Sequence, residues 1–230
     1  MKNIAIIPAR GGSKRIPRKN IKNFLGKPII AYSIESAIQS KLFDEIMVST
    51  DDEEIAEVAK KYGASVPFMR SKENADDFAS TMDVLHEVVT SYKKELNKEF
   101  DYVCCIYATA PLIQVEQLKK GLELLLKEHL ASVYPIVPFS YPIWRGVKIN
   151  ELGHTEMIWK EFINSRSQDL EKVFHDAGQW YWYNPLRVTN SLITTETSSI
   201  ILSEEEVQDI DTEIDWKLAE MKYELLQNFK

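Results

Sequence analysis

Cysteine is nearly absent: the chain of 230 residues has two, Cys104 and Cys105, side by side. Neighbours on a strand point to opposite faces. Neither a disulfide nor a metal site follows, and the pair reads as two small apolar residues of a buried strand, suited to the reducing cytoplasm. The four histidines, His86, His129, His154 and His175, lack metal-ligand spacing. No apolar run approaches membrane-spanning length, and Arg10 interrupts the first apolar segment, so neither a membrane helix nor a secretory leader is expected. The eight glycines form neither Gly-x-Gly-x-x-Gly nor the glycine-lysine spacing of a P-loop. A net charge of −7 lacks the basic excess of a general nucleic-acid binder.

Acidic residues are missing from everything before Glu35, a stretch that holds eight of the 28 Lys and Arg. The positive charge is therefore local and suits a small polyanion. Its centre is an apolar strand, Ile4-Ala5-Ile6-Ile7, running into Pro8-Ala9-Arg10-Gly11-Gly12-Ser13-Lys14-Arg15-Ile16-Pro17-Arg18-Lys19-Asn20. Small residues let backbone N–H groups approach an anion, Ser13 can donate a hydrogen bond, and the Arg and Lys side chains neutralise phosphate charge.

Strand and helix patterns alternate up to residue 137, which predicts a mostly parallel sheet covered by helices in one globular domain. Strands are expected at 4–7, 46–49, 66–68, 102–107 and 132–137. Ile29, Ile30, Ser33, Ile34, Ala37 and Ile38 fall at helical spacing, a helix is expected over about 52–62, and Val84, Leu85, Val88, Val89 and Tyr92 mark a longer one. Leu118, Leu122 and Leu126 mark another. From about 138 to 185 the pattern changes to an aromatic-rich inserted lobe that contains four of the five tryptophans. Such a cluster either covers a small core or forms a protein interface, as in a homodimer. Regular structure returns at 198–202 and 207–212, and an amphipathic helix closes the chain from about 215. In extended backbone, Asp209 and Asp211 share a face and could offer oxygens to one hard cation such as Mg²⁺, with Asp215 capping the last helix.

The loop matches Pro-Ala-Arg-Gly-Gly-Ser-Lys-x-x-x-x-Lys-Asn, and in this it resembles the nucleotide-binding loop of the cytidylyltransferases that activate nonulosonic acids, the CMP-sialic acid synthetases among them. The resemblance covers essentially the whole chain. It implies a three-layer αβα Rossmann-like nucleotide-diphospho-sugar transferase fold and an enzyme that joins CTP to a nine-carbon acid sugar with release of pyrophosphate; the aromatic-rich insertion is then read as a small dimerisation lobe, and the expected state is a cytoplasmic homodimer. On this resemblance Arg10 and Lys19 hold phosphate oxygens, Ala9, Gly11, Gly12 and Ser13 form the loop, and Asn20, Arg70 and Thr81 line the nucleotide pocket. From the residues alone, Arg70 also reads as a surface side chain and Thr81 as a helix cap. The family places its metal carboxylates in an Ile-Asp-Thr-x-x-Asp segment, which assigns Mg²⁺ to Asp209 and Asp211, with Asp211 catalytic.

The acceptor segments depart from the sialic acid enzymes. Their Gln-Pro-Thr-Ser-Pro-Leu-Arg is here Tyr107-Ala108-Thr109-Ala110-Pro111-Leu112-Ile113, and their Asn-Gly-Ala-Ile-Tyr is Asp176-Ala177-Gly178-Gln179-Trp180-Tyr181-Trp182. Both look like the branch that activates pseudaminic acid for flagellin glycosylation. The implied sugar-site residues are Tyr107, Thr109, Arg166 and Gln179, with Arg166 placed to bind the sugar's carboxylate bidentately and Tyr107 and Trp180 able to stack on the sugar's apolar face; as large aromatics they also read as core packing, which is the preferred reading for Trp180 and Trp182. Other acid sugars (N-acetylneuraminic, legionaminic or 3-deoxy-octulosonic acid) remain alternatives, as does a non-catalytic sensor of CTP or CMP.

Overall fold

A computed structural model describes residues 1–76 and 78–228. Its frame is a seven-stranded sheet. In chain order the strands are β1 (Asn3–Pro8), the short pair β2 (Asn23–Phe24) and β3 (Lys27–Pro28), β4 (Glu45–Ser49), β5 (Tyr102–Ile106) and β6 (Ser132–Pro138), then β7 (Val147–Ile149), β8 (Thr155–Met157), β9 (Phe174–Asp176), β10 (Trp180–Tyr183) and β11 (Thr197–Ile201). The helices are α1 (Ile29–Ser40), α2 (Glu53–Lys61), α3 (Thr81–Leu96), α4 (Val115–Lys127) and α5 (Glu213–Asn228).

The sheet runs β11-β6-β10-β5-β1-β4, with β9 paired to β6. β1 is parallel to β4 and β5, β11 is parallel to β6, and β10 lies antiparallel between β5 and β6. The expected mostly parallel sheet is therefore present, with β9 and β10 as the reversed strands. β1 is buried almost end to end because helices cover both faces, as parallel sheets require. Ala5 and Ile7 pack with α1, α2 and α4, whereas Ile4 and Ile6 pack with α3. This alternation makes three layers.

The two cysteines obey the same rule: Cys104 joins the first core and Cys105 the second, both free and fully buried. Opposite them, Trp182 pairs with Cys104 and Tyr181 with Cys105. Trp180 and Trp182 thus belong to the core beneath α4, where Gly121 makes room; a Cβ there would lie 2.5 Å from the Trp180 ring.

Several expectations need correction. Residues 66–68 form no strand; Ser65 makes a single bridge to Met47, and Phe68 turns its ring edge onto Tyr92. The aromatic segment is not one lobe over 138–185. Its last part is β9 and β10, held in the sheet by hydrogen bonding, and what leaves the sheet lies between β6 and β9. That smaller excursion carries the β7–β8 hairpin, with Trp144 set against Trp159 and Phe162. Residues 207–211 are likewise no strand. Thr212 rather than Asp215 is the cap of α5: the Asp215 N–H donates to the Thr212 hydroxyl, and the Asp215 carboxylate accepts in return from the Thr212 and Asp211 N–H groups. No helix among the described residues is long and apolar enough to cross a membrane.

Candidate active site

The C-terminal ends of the central parallel strands open into two clefts, of about 520 and 570 Å³, both bordered by Tyr107 and Thr109 at the end of β5. Ligands gather here in open α/β sheets because the loops leaving the strands diverge.

The first cleft is cationic. Arg10, Lys14, Arg15, Lys19 and Arg70 line it together with Ser13, Asn20 and Thr81, and Asp76 is its one carboxylate among the described lining residues. The loop after β1 is folded by its own polar contacts. The Asn20 amide donates to the Arg10 carbonyl at 2.9 Å, and the Gly11 N–H donates to Asp51 at 2.9 Å. Ala9 is buried and donates to the Ser49 carbonyl. Ala9, Gly11 and Gly12 shape the loop without lining the cleft, while Ser13 lines it. Arg10 donates to the Asp76 carbonyl at 3.2 Å, bridging to the segment before α3.

Arg70 is buried, not a surface side chain: its guanidinium donates to the Ser49 hydroxyl and carbonyl at the end of β4. Burial lowers its pKa against the opposing fields of Asp51 and Glu87, yet a guanidinium stays charged. Thr81 is not a cap, because Ser80 caps α3 in a reciprocal box with Asp83. The Thr81 hydroxyl is left for the cleft, 3.4 Å from the Tyr107 hydroxyl.

Arg18, in left-handed backbone with φ 55°, forks onto Asp52, the cap of α2, and also reaches Glu54. The hydrogen bond from Arg18 holds the Asp52 carboxyl below the usual carboxylate range, ahead of the opposing effect of burial. A depressed carboxyl contributes stability above its unfolded pKa and loses it as the pH falls through the folded value. Arg18→Met should therefore be less stable than the parent at neutral pH, with the difference closing as the pH drops below about 4. Urea unfolding across that range checks it.

The basic loop meets the segment before α5 at the rim. Lys19 donates to the Ile210 carbonyl at 2.6 Å and lies 3.7 Å from Asp211, whose other oxygen is 2.6 Å from Arg15. Ile210 is buried between Asp209 and Asp211, so both carboxylates turn outward, Asp209 into the second cleft and Asp211 onto the basic loop. No group of three or more His, Cys, Asp or Glu suited to a metal occurs among the described residues. Asp211 on the basic loop and Asp209 in the second cleft are oxygen donors of the kind Mg²⁺ takes, an ion that binds one or two carboxylates and completes its shell with phosphate and water.

In the second cleft Tyr181, not Trp180, faces Tyr107, with ring centroids 5.5 Å apart, because alternation along β10 turns Trp180 into the core. The Tyr181 hydroxyl donates to Asp176 at 2.6 Å, and the Gly178 N–H, in a turn with φ 62°, donates to the other Asp176 oxygen at 2.8 Å. Burial pushes both phenols up, so both stay protonated at neutral pH. Gln179 is buried and its amide donates to the Glu206 carbonyl at 2.6 Å, which holds the segment leading to Asp209; it borders neither cleft. Arg166 is exposed beside a short 3-10 turn of the excursion and also borders neither. Sequence reasoning gave Asp176, Tyr181 and Lys222 no individual role in this cleft, although Asp176 and Tyr181 lie in the acceptor segment, with His175 next to it; Lys222 left no signal.

A Rossmann-like sheet with a basic loop after its first strand and a carboxylate pair at the cleft rim defines a nucleotidyltransferase. The chain belongs to the cytidylyltransferase family, whose model matches residues 4–184. It is 45% identical to a pseudaminic acid cytidylyltransferase of Campylobacter jejuni subsp. jejuni serotype O:2, over 98% of this chain and 97% of that one. It is 36% identical to a CMP-N,N'-diacetyllegionaminic acid synthase of Legionella pneumophila, over 99% and 98%. A solved CMP:2-keto-3-deoxy-manno-octonic acid synthetase complexed with CTP has the same fold, with a TM-score of 0.68 at 20% identity over 99% of this chain and 100% of that one.

Proposed function

We propose that the chain couples pseudaminic acid to CTP, forming CMP-pseudaminic acid and pyrophosphate. The observation that carries this reading is the pair of clefts joined at Tyr107 and Thr109, one cationic and the other bearing Asp209. The 45% identity to the Campylobacter jejuni enzyme supports the choice of sugar.

The triphosphate lies in the first cleft. Arg10 and Lys19 hold phosphate oxygens and stabilise the charge that grows as the bond from the α-phosphorus to pyrophosphate breaks. Ser13 donates to a phosphate oxygen from a loop shaped by Ala9, Gly11 and Gly12. Asn20, Arg70 and Thr81 fix the nucleoside. The sugar occupies the second cleft and directs its anomeric hydroxyl past Tyr107 and Thr109 at the α-phosphorus, so the rate comes mainly from alignment and charge neutralisation. Asp209 and Asp211 would hold Mg²⁺, which when bound neutralises phosphate charge and polarises the phosphoryl group. The protonated Tyr107 and Tyr181 orient the sugar as hydrogen-bonding groups and do not take its proton. Gln179 acts through Glu206, positioning the strand of chain before Asp209.

Arg166 can serve an acceptor only across a homodimer interface, and the excursion's exposed Val147, Ile149, Leu152 and Ile163 supply an apolar surface for one. We place the reaction in the cytoplasm, in keeping with two unbridged cysteines, with flagellin glycosylation as the use of the product.

Purified protein with CTP and Mg²⁺, offered pseudaminic, N,N'-diacetyllegionaminic, N-acetylneuraminic and 3-deoxy-octulosonic acids separately, should release pyrophosphate with the highest kcat/KM on the first. Preference for another acid overturns the choice of sugar. Release with none, alongside intact CTP binding, leaves a nucleotide sensor.

A further inference from the structure

The second cleft has a charge problem. Asp176, Glu204 and Asp209 line it, and Lys222 is the one Lys or Arg among its described lining residues. An acid sugar brings a further negative charge to the same space, and a carboxylate taken from water needs a cation or hydrogen-bond donors in exchange. Arg166, the residue the sequence pattern favours for that task, lies outside the cleft of its own chain.

We propose that Lys222 binds the carboxylate of the acceptor sugar. The assignment rests on the reading of the acceptor as an acid sugar. Lys222 projects from the flank of α5, one turn beyond Ala219, which packs with Trp216 against Phe24 and Tyr32. Its ammonium donates to the Glu204 carbonyl at 2.9 Å and the Val207 carbonyl at 2.6 Å. An ammonium has three N–H donors, so two hold the group in place at the cleft wall and the third remains for a ligand. Both carbonyls belong to the segment that leads to Asp209, so the anchored carboxylate lies on the side of the cleft from which Asp209 projects. A carboxylate on the anomeric carbon, fixed there, sets the neighbouring hydroxyl relative to the α-phosphorus. Burial lowers the Lys222 pKa against the opposing fields of Glu204 and Glu205. A cation so placed gains more from an incoming anion than one in open water.

Two variants separate charge from support. Lys222→Met removes both, whereas Lys222→Gln keeps a donor for the two carbonyls and loses the charge. Each is assayed with pseudaminic acid and with its C1 carboxamide as competing ligand, beside the parent protein and Arg166→Met. The parent should bind the acid at least about tenfold more tightly than the amide. In both Lys222 variants that preference should collapse, with the KM for the acid rising by a similar factor while the KM for CTP and the Mg²⁺ dependence stay put. Lys222→Arg should restore part of the preference. An intact acid-over-amide preference in Lys222→Gln, a shift confined to Mg²⁺ dependence, or loss of the preference in Arg166→Met alone would each overturn the assignment. If the parent turns over no acid sugar at all, the reading of the acceptor fails instead.

Discussion

Asp211→Asn should lower Mg²⁺-dependent turnover by about 10²–10³-fold, in the range seen when one electrostatic contributor to a transition state is removed, while CTP binding partly survives. The split follows from what Asp211 touches. Its carboxylate is shared by Arg15 and Lys19 at the rim of the cationic cleft. An amide at this position weakens the metal site, yet it also leaves both cations less compensated and so more attractive to a triphosphate. These effects oppose each other in binding and not in catalysis. The fold should tolerate the change, because the Arg15 side chain is 69% exposed and such an ion pair contributes at most about 1 kcal/mol. Pyrophosphate release titrated with Mg²⁺, together with calorimetric CTP binding, measures both halves. Unchanged turnover would remove Asp211 from the metal site.

Trp182→Ala should cost about 3–5 kcal/mol of stability, the range for truncating a buried Trp or Phe. Trp182 is fully buried, stacks on Phe43 with centroids 5.0 Å apart, and donates its indole N–H to the Leu118 carbonyl at 3.1 Å. Truncation leaves a cavity between β10 and α4 and removes the second hydrogen bond to the Leu118 carbonyl, which keeps its helical partner. Since domains are stable by only about 5–15 kcal/mol, a large share of the total is lost. Urea unfolding should show a lower midpoint at an unchanged slope. A loss under about 1 kcal/mol would mean that β10 is not held from this side. Residual activity should fall further than the folded fraction alone explains, because β10 presents Tyr181 to the second cleft from its other face.

Legibility in the sequence tracked whether a feature is contiguous. The loop that follows β1 could be read because its chemistry sits in one uninterrupted string, and Arg10, Ser13, Lys19 and Asn20 all line the first cleft. The opposite facing of Cys104 and Cys105 could be read because the period of a strand is local. Residues 66–68 misled because a short apolar run carries no information about its hydrogen-bonding partner. The aromatic stretch misled for a related reason: composition says that Trp180 and Trp182 are buried but not against what. Lys222 left no signal, since one lysine on an amphipathic helix resembles any other until the helix is docked.

The sequence by itself determined the three-layer fold and the basic loop that lines the first cleft. Burial periodicity and phosphate chemistry are both written in neighbouring residues. Only the tertiary structure decided the lining of the second cleft. That cleft is assembled from the end of β5, the turn between β9 and β10, the segment before Asp209 and a lysine of α5. Which of their side chains converge depends on strand register and helix docking, and these are set by packing between parts of the chain that are distant in sequence.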